Sequence, residues 1–405
     1  MDELQKTHMN ELKIPEASDS SAFTTSSPAS VHPSAHDSQA SAGQYQFMNS
    51  GSCRVPRCPY IVGATFTATS HEPSVPFGHD YITKYPKLPD NWEKLSQLDS
   101  CLSRPFLGGR SITHATRTLT ITSTIRSGYG RGAQILVINN NMVAKIYDPL
   151  YYKFINEYDY TEPVICDADG DYLREAAAYT ELQSSPAAVE TTPIYHGSFT
   201  VETDTYVTPS GGKEKRVVPL ILIEYLRGQS MSSIKPHTLS DEVRSAITRK
   251  VIVAEIVILH AGVDHYDYCP RNIMLLNLDE SPLTLTEDYI NNHVQVKVID
   301  FNISIVNAHP SHKYRRWYKS DAKAGRKPQS PIVRYHGQMI EFYYWVPKST
   351  SAEEWLWEQF HGDERFRPVT WDPKNPLKSP KYLDDSEDDS GGSSDSGISM
   401  GTTKE

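Results

Sequence analysis

Hydrophobic and polar positions divide this chain into segments before any single residue is considered. In residues 1–75, Ser, Ala, Thr, His and Pro dominate without periodicity. A stretch so poor in buriable surface is expected to stay disordered, because burial cannot offset the entropy of ordering it. Aromatics and leucines return at Tyr81, Tyr85, Trp92, Leu95 and Leu98, which marks residues 76–110 as an extension packed on the strands after it. From Ile112 the period becomes two. Leu119, Ile121 and Ile125 predict one strand, residues 133–138 a second and residues 142–147 a third, and Asn139, Asn140 and Asn141 form a turn. Residues 169–183 then change to a helical period, with Leu173, Ala176, Ala177, Tyr179 and Leu182 on one side. Residues 193–207 and 217–225 read as two more strands, linked by a polar insertion around Gly211 and Gly212. Residues 240–259 give the clearest helix: Ser240 caps it, Asp241 and Glu242 sit at its positive end, and Val243, Ile247, Val251, Ala254 and Ile258 repeat along one face. Ala261 and Gly262 end it, and residues 273–276 and 294–299 predict a short hairpin.

Composition narrows the class. A chain of 405 residues has room for two or three domains, but both ends are polar, so one folded domain between them is expected. The net charge of −10 argues against general nucleic-acid affinity, and much of the acid lies in residues 378–405, a Ser- and Asp-rich tail expected to be disordered, with Ser386 and Ser390 as candidate phosphoacceptors. The five cysteines show no metal-ligand spacing beyond Cys53 and Cys58, so free thiols and an intracellular setting, cytoplasmic or nuclear, are expected. No apolar run is long enough to span a bilayer and no secretory leader is visible.

The candidate chemistry sits in HAGVDHYDYCPRNIMLL, residues 260–276, where His265, Asp267 and Asn272 fall into the spacing H-x-D-x-x-x-x-N. Downstream, VKVIDFNIS ends a strand-like alternation in Asp300-Phe301-Asn302. Upstream, Gly128, Gly130 and Gly132 occupy the first turn of the meander, Lys145 lies on its third strand, and Glu175 lies mid-helix. Glu181 competes with Glu175 as the partner of Lys145, and a lysine on a strand is ordinarily a solvated edge charge. Residues 220–231, LILIEYLRGQSM, follow the last strand with an apolar wall and a backbone stretch from Glu224 to Leu226.

Together these motifs resemble the protein-kinase-like superfamily over roughly residues 110–375. They are similar in particular to a fungal group with HxDxxPRN loops and a late segment like Arg367-Pro368-Val369-Thr370-Trp371-Asp372-Pro373. The resemblance implies an α+β, two-lobed fold. Its N-lobe would be an antiparallel sheet plus one helix over residues 111–226, and its shortened, mainly helical C-lobe would span residues 227–377. It implies ATP and Mg2+, with Asp267 as catalytic base, Asn272 and Asp300 as metal ligands, and Lys145 and Glu175 as the phosphate-clamping pair. Gly128, Gly130 and Gly132 would close over the phosphates, and Glu224 and Leu226 would offer backbone groups to the base. Tyr266 replaces the usual Arg of H-R-D, Asn302 replaces the Gly of D-F-G, V-A-K is one residue short, and no A-P-E follows. These departures are similar to those of RIO-type and lipopolysaccharide-kinase-like enzymes, while Pro270 and Ile299-Asp300-Phe301 also match aminoglycoside- and choline-type kinases. The implied function is an atypical kinase acting on a Ser/Thr hydroxyl of a protein, with a small-molecule phosphotransferase or a pseudokinase binding module as alternatives. Residues 313–327, rich in Lys and Arg, suit an acidic or phosphorylated substrate, nuclear import or a solvated loop.

Overall fold

A computed structural model describes residues 48–383 apart from 51–52, 56, 89, 104–107, 207–211, 279–284, 319 and 376–377. Of the tail expected to be disordered from residue 378, residues 378–383 are described and include a short strand, while residues 384–405, with Ser386 and Ser390, lie outside the described residues, as do residues 1–47 and Gly211. The described residues begin with a small antiparallel pair, β1 (Met48–Ser50) and β2 (Cys53–Val55). Next comes β3 (Thr65–Pro73), a nine-residue strand inside the stretch expected to be disordered. It pairs with β4 (Gly109–Arg126) on one side and β7 (Tyr195–Tyr206) on the other. Its Thr-rich sequence carries β-propensity but few apolar side chains, and Ala68 is its one fully buried hydrophobe. Helix α1 (Gln97–Ser103) lies in the extension between β3 and β4.

With β5 (Gln134–Ile138), β6 (Met142–Ile146) and β8 (Lys213–Glu224), these strands close a six-stranded antiparallel barrel in the order β3-β4-β5-β6-β8-β7. Alternation decides which side chains fill it. Ala144 and Ile146 of β6 and Leu220 and Leu222 of β8 join Leu119, Ile121, Leu136 and Ile138 in one buried cluster. The intervening Val143, Ile221 and Ile223 belong to a second, larger cluster. Arg216 and Asp148 form a buried bidentate pair at 2.7 and 2.8 Å, and Tyr60 and the Leu150 N–H complete the carboxylate's hydrogen bonds.

The second cluster runs from that opposite strand face through α2 (Val164–Leu182) and α3 (Pro186–Thr191) to α4 (Asp241–His260). Helix α4 matches its sequence pattern: Ser240 Oγ accepts from Val243 N–H, and the five apolar positions repeated along one face are buried. Gly262 leaves the helix at φ 99°, a conformation open to glycine. Two small sheets follow. Strand β10 (Val263–Asp264) pairs with β13 (Ile305–Val306), while β11 (Ile273–Leu276) lies between β9 (Gly228–Ser230) and β12 (Gln295–Val298). Helices α5 (Glu287–His293), α6 (Pro331–Tyr335) and α7 (Ala352–Phe360), the last begun by a Ser351–Glu354 capping box, surround α4. The pair β14 (Val369–Thr370) and β15 (Lys381–Tyr382) ends the described chain. Among the described residues, no helix is long and apolar enough to cross a membrane. Cys58, Cys101, Cys166 and Cys269 are free thiols.

Candidate functional site

The site begins with a side chain on the face of β6 that the barrel interior does not use. Lys145 shares that face with Val143, and only 4% of it is exposed, so it is not a solvated edge charge. Its Nζ donates to Glu175 Oε1 and Oε2 at 2.7 and 2.5 Å and to Asp300 Oδ1 at 2.6 Å. Glu175, not Glu181, is therefore the partner supplied by α2. Tyr147, two residues along the chain and on the same face, donates its hydroxyl to Glu175 Oε2 at 2.5 Å. Burial alone would drive the Lys145 ammonium toward neutrality, but the charges of Asp300 and Glu175 outweigh it and hold its pKa above the ordinary value. Burial likewise opposes ionisation of Asp300, yet the adjacent Lys145 charge and hydrogen bond hold that carboxyl below its usual range. For fully buried Glu175, burial prevails and raises the carboxyl. One ammonium thus serves two carboxylates.

The loop after α4 brings the other groups to the same place. Burial pushes the His265 ring down. As a neutral ring it donates Nε2–H to Ile299 O (3.0 Å) and accepts the Asp267 N–H at Nδ1 (3.3 Å). Asn272 donates Nδ2–H to Asp267 Oδ2 at 2.7 Å and to Asp267 O at 2.9 Å. The β11–β12 hairpin begins there: Ile299 N–H reaches Asn272 O at 2.9 Å, which sets Asp300 beside Asn272. Asp300 has φ 69°, and the following Phe301 is fully buried, edge-on to Tyr179 of α2 and against His265. Phe301 N–H also donates to Glu175 Oε1 at 3.3 Å.

A cavity of about 450 Å³ joins these groups. Val143, Ile135, Ile223, Met274 and Ile299 supply apolar wall, and Arg126, Lys145, Arg271, Asn272 and Asp300 supply polar groups. That mixture of an apolar wall and a few convergent polar groups suits a small-molecule site. Larger hollows exist, of about 760 and 780 Å³, but neither contains any of Lys145, Asp267, Asn272 and Asp300.

Several expected contributors stand differently. Gly128, Gly130 and Gly132 all have positive φ, yet none lines the cavity. Gly128 N–H is given to Gln134 Oε1 at 2.6 Å and Gly130 N–H to Tyr151 O at 2.9 Å, so the turn uses those donors to fasten itself. Arg126, at the end of β4, lines the cavity in their stead and bears on the Asp300 charge. Glu224 and Leu226 do line the cavity, but the Glu224 N–H already donates to Ile194 O at 2.8 Å. The Leu226 N–H has no partner among the described residues. Asp267 lies one hydrogen bond behind the lining, with Arg271 ion-paired to its Oδ1. Arg126 and Tyr147 went unnoticed in the sequence, because an arginine beside a Gly-rich turn, or a tyrosine at a strand end, carries no motif; Arg271 lies within the HxDxxPRN loop but was given no role there.

The donor chemistry fits magnesium. Both Asn272 side-chain hydrogen bonds use Nδ2, which leaves its oxygen as an acceptor, and Asp300 contributes an ionised carboxylate. No group of three or more His, Cys, Asp or Glu side chains could hold a metal among the described residues. Mg2+ is ordinarily held by one or two protein oxygens together with phosphate and water, so this sparse set suits it only alongside a phosphorylated ligand.

Comparison with known proteins adds little. No protein-family model matches the chain, and no curated protein matches it. Among solved structures it is similar to a WaaP in complex with acyl carrier protein, at 16% identity over 50% of this chain and 68% of that one, with a TM-score of 0.29. A likeness that loose carries no argument, and the functional reading rests on the geometry above.

Proposed function

We propose that the protein is an ATP-dependent phosphotransferase of atypical kinase type, acting on a Ser/Thr hydroxyl of a protein. In this reading the barrel with α2 and the α4-centred half are the two lobes of a kinase-like fold. The observation that carries it is the convergence of Lys145, Asn272 and Asp300 on one cavity, with Glu175 buried behind Lys145, the four supplied by separate parts of the chain. Lys145, fixed by Glu175, would hold the α- and β-phosphates, and Arg126 would add a second positive charge. Asn272 and Asp300 would hold Mg2+, which supplies charge neutralisation on the phosphates. Asp267 would orient the acceptor hydroxyl and take its proton. Positioning and electrostatic neutralisation then account for most of the rate.

One feature favours the second reading, a small cationic acceptor. A hollow of about 400 Å³ beside Tyr266 is lined by Glu255, Asp264 and Glu341. Arg334, at 2.7 Å from Glu255 and 3.8 Å from Asp264, already pairs with two of these three carboxylates, and the hollow contains none of Lys145, Asp267, Asn272 and Asp300, which leaves the protein acceptor as the better reading. Thermal-shift titration with Mg-ATP tests the nucleotide step: the wild type is stabilised by about 2.7 kcal/mol at a hundred-fold excess over Kd, and Asp300→Ala is not. Phosphate transfer falls by about 10²–10⁴ in Asp267→Ala while the Mg-ATP shift persists. A wild type with no ATP-dependent shift would leave a binding scaffold as the function.

A further inference from the structure

Residues 313–327 carry six described cations, Lys313, Arg315, Arg316, Lys323, Arg326 and Lys327, all exposed. Of these only Arg326 has a carboxylate partner among the described residues, Asp321 at 2.7 Å. Arg316 instead stacks on exposed Trp317, 3.9 Å from the ring centre, and Lys313 lies over Tyr314 at 4.8 Å. This is a field of unanswered positive charge with aromatic faces.

Its two ends are fixed in informative places. Toward one end the Tyr318 hydroxyl lies 3.5 Å from where a Cβ on Gly262 would sit, at the start of the loop that carries Asp267. At the other, Pro328 O accepts the Arg367 N–H at 2.9 Å. Leu383, the last described residue, donates its N–H to Pro368 O at 3.1 Å, and Arg367 stacks on Tyr382. The chain therefore leaves the described structure beside the end of the basic segment, and its next residues are Asp384, Asp385, Ser386, Glu387, Asp388, Asp389 and Ser390. Residues 384–398 and 313–327 are equal in length, and 15 extended residues reach about 50 Å.

We propose that this acidic segment of the same chain docks along the basic segment and brings its serines, Ser386 to Ser396, to Asp267 as phosphate acceptors. The acceptor class is a hydroxyl flanked by carboxylates. This rests on the kinase reading. The serine Oγ forms a bond to the γ-phosphorus of ATP, the bond from that phosphorus to the bridging oxygen breaks, ADP leaves, and the hydroxyl proton passes to Asp267.

Carbodiimide coupling of the full chain without nucleotide tests the docking separately from catalysis. Mass spectrometry is expected to find links from Asp384, Asp385, Glu387, Asp388 or Asp389 to Lys313, Lys323 or Lys327. They should be suppressed at 0.5 M salt and several-fold weaker in Arg315→Glu/Arg316→Glu, whose Mg-ATP thermal shift is unchanged. Links confined to other lysines, such as Lys250 and Lys297, which line the hollow of about 780 Å³, or no links at all, overturn the docking. Incubation with Mg-ATP should then place phosphate within residues 386–396. Nucleotide binding and the expected links without phosphate there overturn the acceptor assignment. If no nucleotide binds, the kinase reading itself fails, and the links alone decide the docking.

Discussion

Replacing Lys145 with Ala tests the electrostatic reasoning most directly. The substitution removes the one cation shared by two carboxylates. The Asp300 side chain is 29% exposed and can rehydrate, whereas that of Glu175 is wholly buried and cannot. Removing one partner of a buried ion pair costs about 3–5 kcal/mol. Tyr147 and the Phe301 N–H still hydrogen-bond Glu175, which places the loss toward about 3 kcal/mol. For a domain of this size, 3–5 kcal/mol lowers Tm by about 4–8 °C, given roughly 2.1 cal/mol/K of unfolding entropy per residue. The loss should depend on pH in a definite direction. Without Lys145, the folded pKa of Glu175 rises further above its unfolded value of about 4.3, so the variant loses stability as pH rises through that raised value. In the wild type, Asp300 has a lowered folded pKa and contributes stability above its unfolded value that fades as pH falls. The Glu175 effect makes the gap between variant and wild type wider near pH 8 than near pH 5, whereas the Asp300 contribution fades only below its unfolded value of about 3.9. Urea unfolding followed by tryptophan fluorescence across that range measures the gap. Adding Glu175→Gln to Lys145→Ala should recover about 1 kcal/mol or more at pH 8, because the amide leaves no buried charge. A Lys145→Ala variant within 1 kcal/mol of wild type at pH 8, or a gap that ignores pH, would refute the shared-ammonium account.

The remaining predictions separate the cavity from its surroundings. Arg126→Ala is expected to weaken Mg-ATP binding by about 3–10-fold in calorimetry, a modest figure because the side chain is exposed. Gly132→Ala, at φ 66°, should instead cost about 1 kcal/mol of stability and leave nucleotide affinity unchanged, since that turn does not line the cavity. Asp148→Ala strands Arg216 inside the barrel and should cost about 3–5 kcal/mol in denaturant unfolding. Its folded fraction should still bind nucleotide with wild-type affinity.

Much of the molecule was legible along the chain because local signals coincide with the element they specify. The α4 cap, its acidic first turn and its apolar repeat all lie within twenty-one residues, and the H-x-D-x-x-x-x-N spacing keeps Asp267 and Asn272 within one loop. Period two in MVAKI separates Ala144 and Ile146 from Val143 and Lys145, although the pattern alone does not say which face meets the barrel interior. Tertiary structure alone decided the rest. Strand β3 is held by its neighbours β4 and β7, so its threonines gave no apolar rhythm to read. Gly128 and Gly130 look like phosphate donors until Gln134 and Tyr151 are seen to use their N–H groups. Lys145 looks like an edge charge until Glu175, 30 positions away, and Asp300, 155 positions away, reach it. Groups so distant in sequence meet only when the fold is complete, and burial then fixes which of them keep their charge.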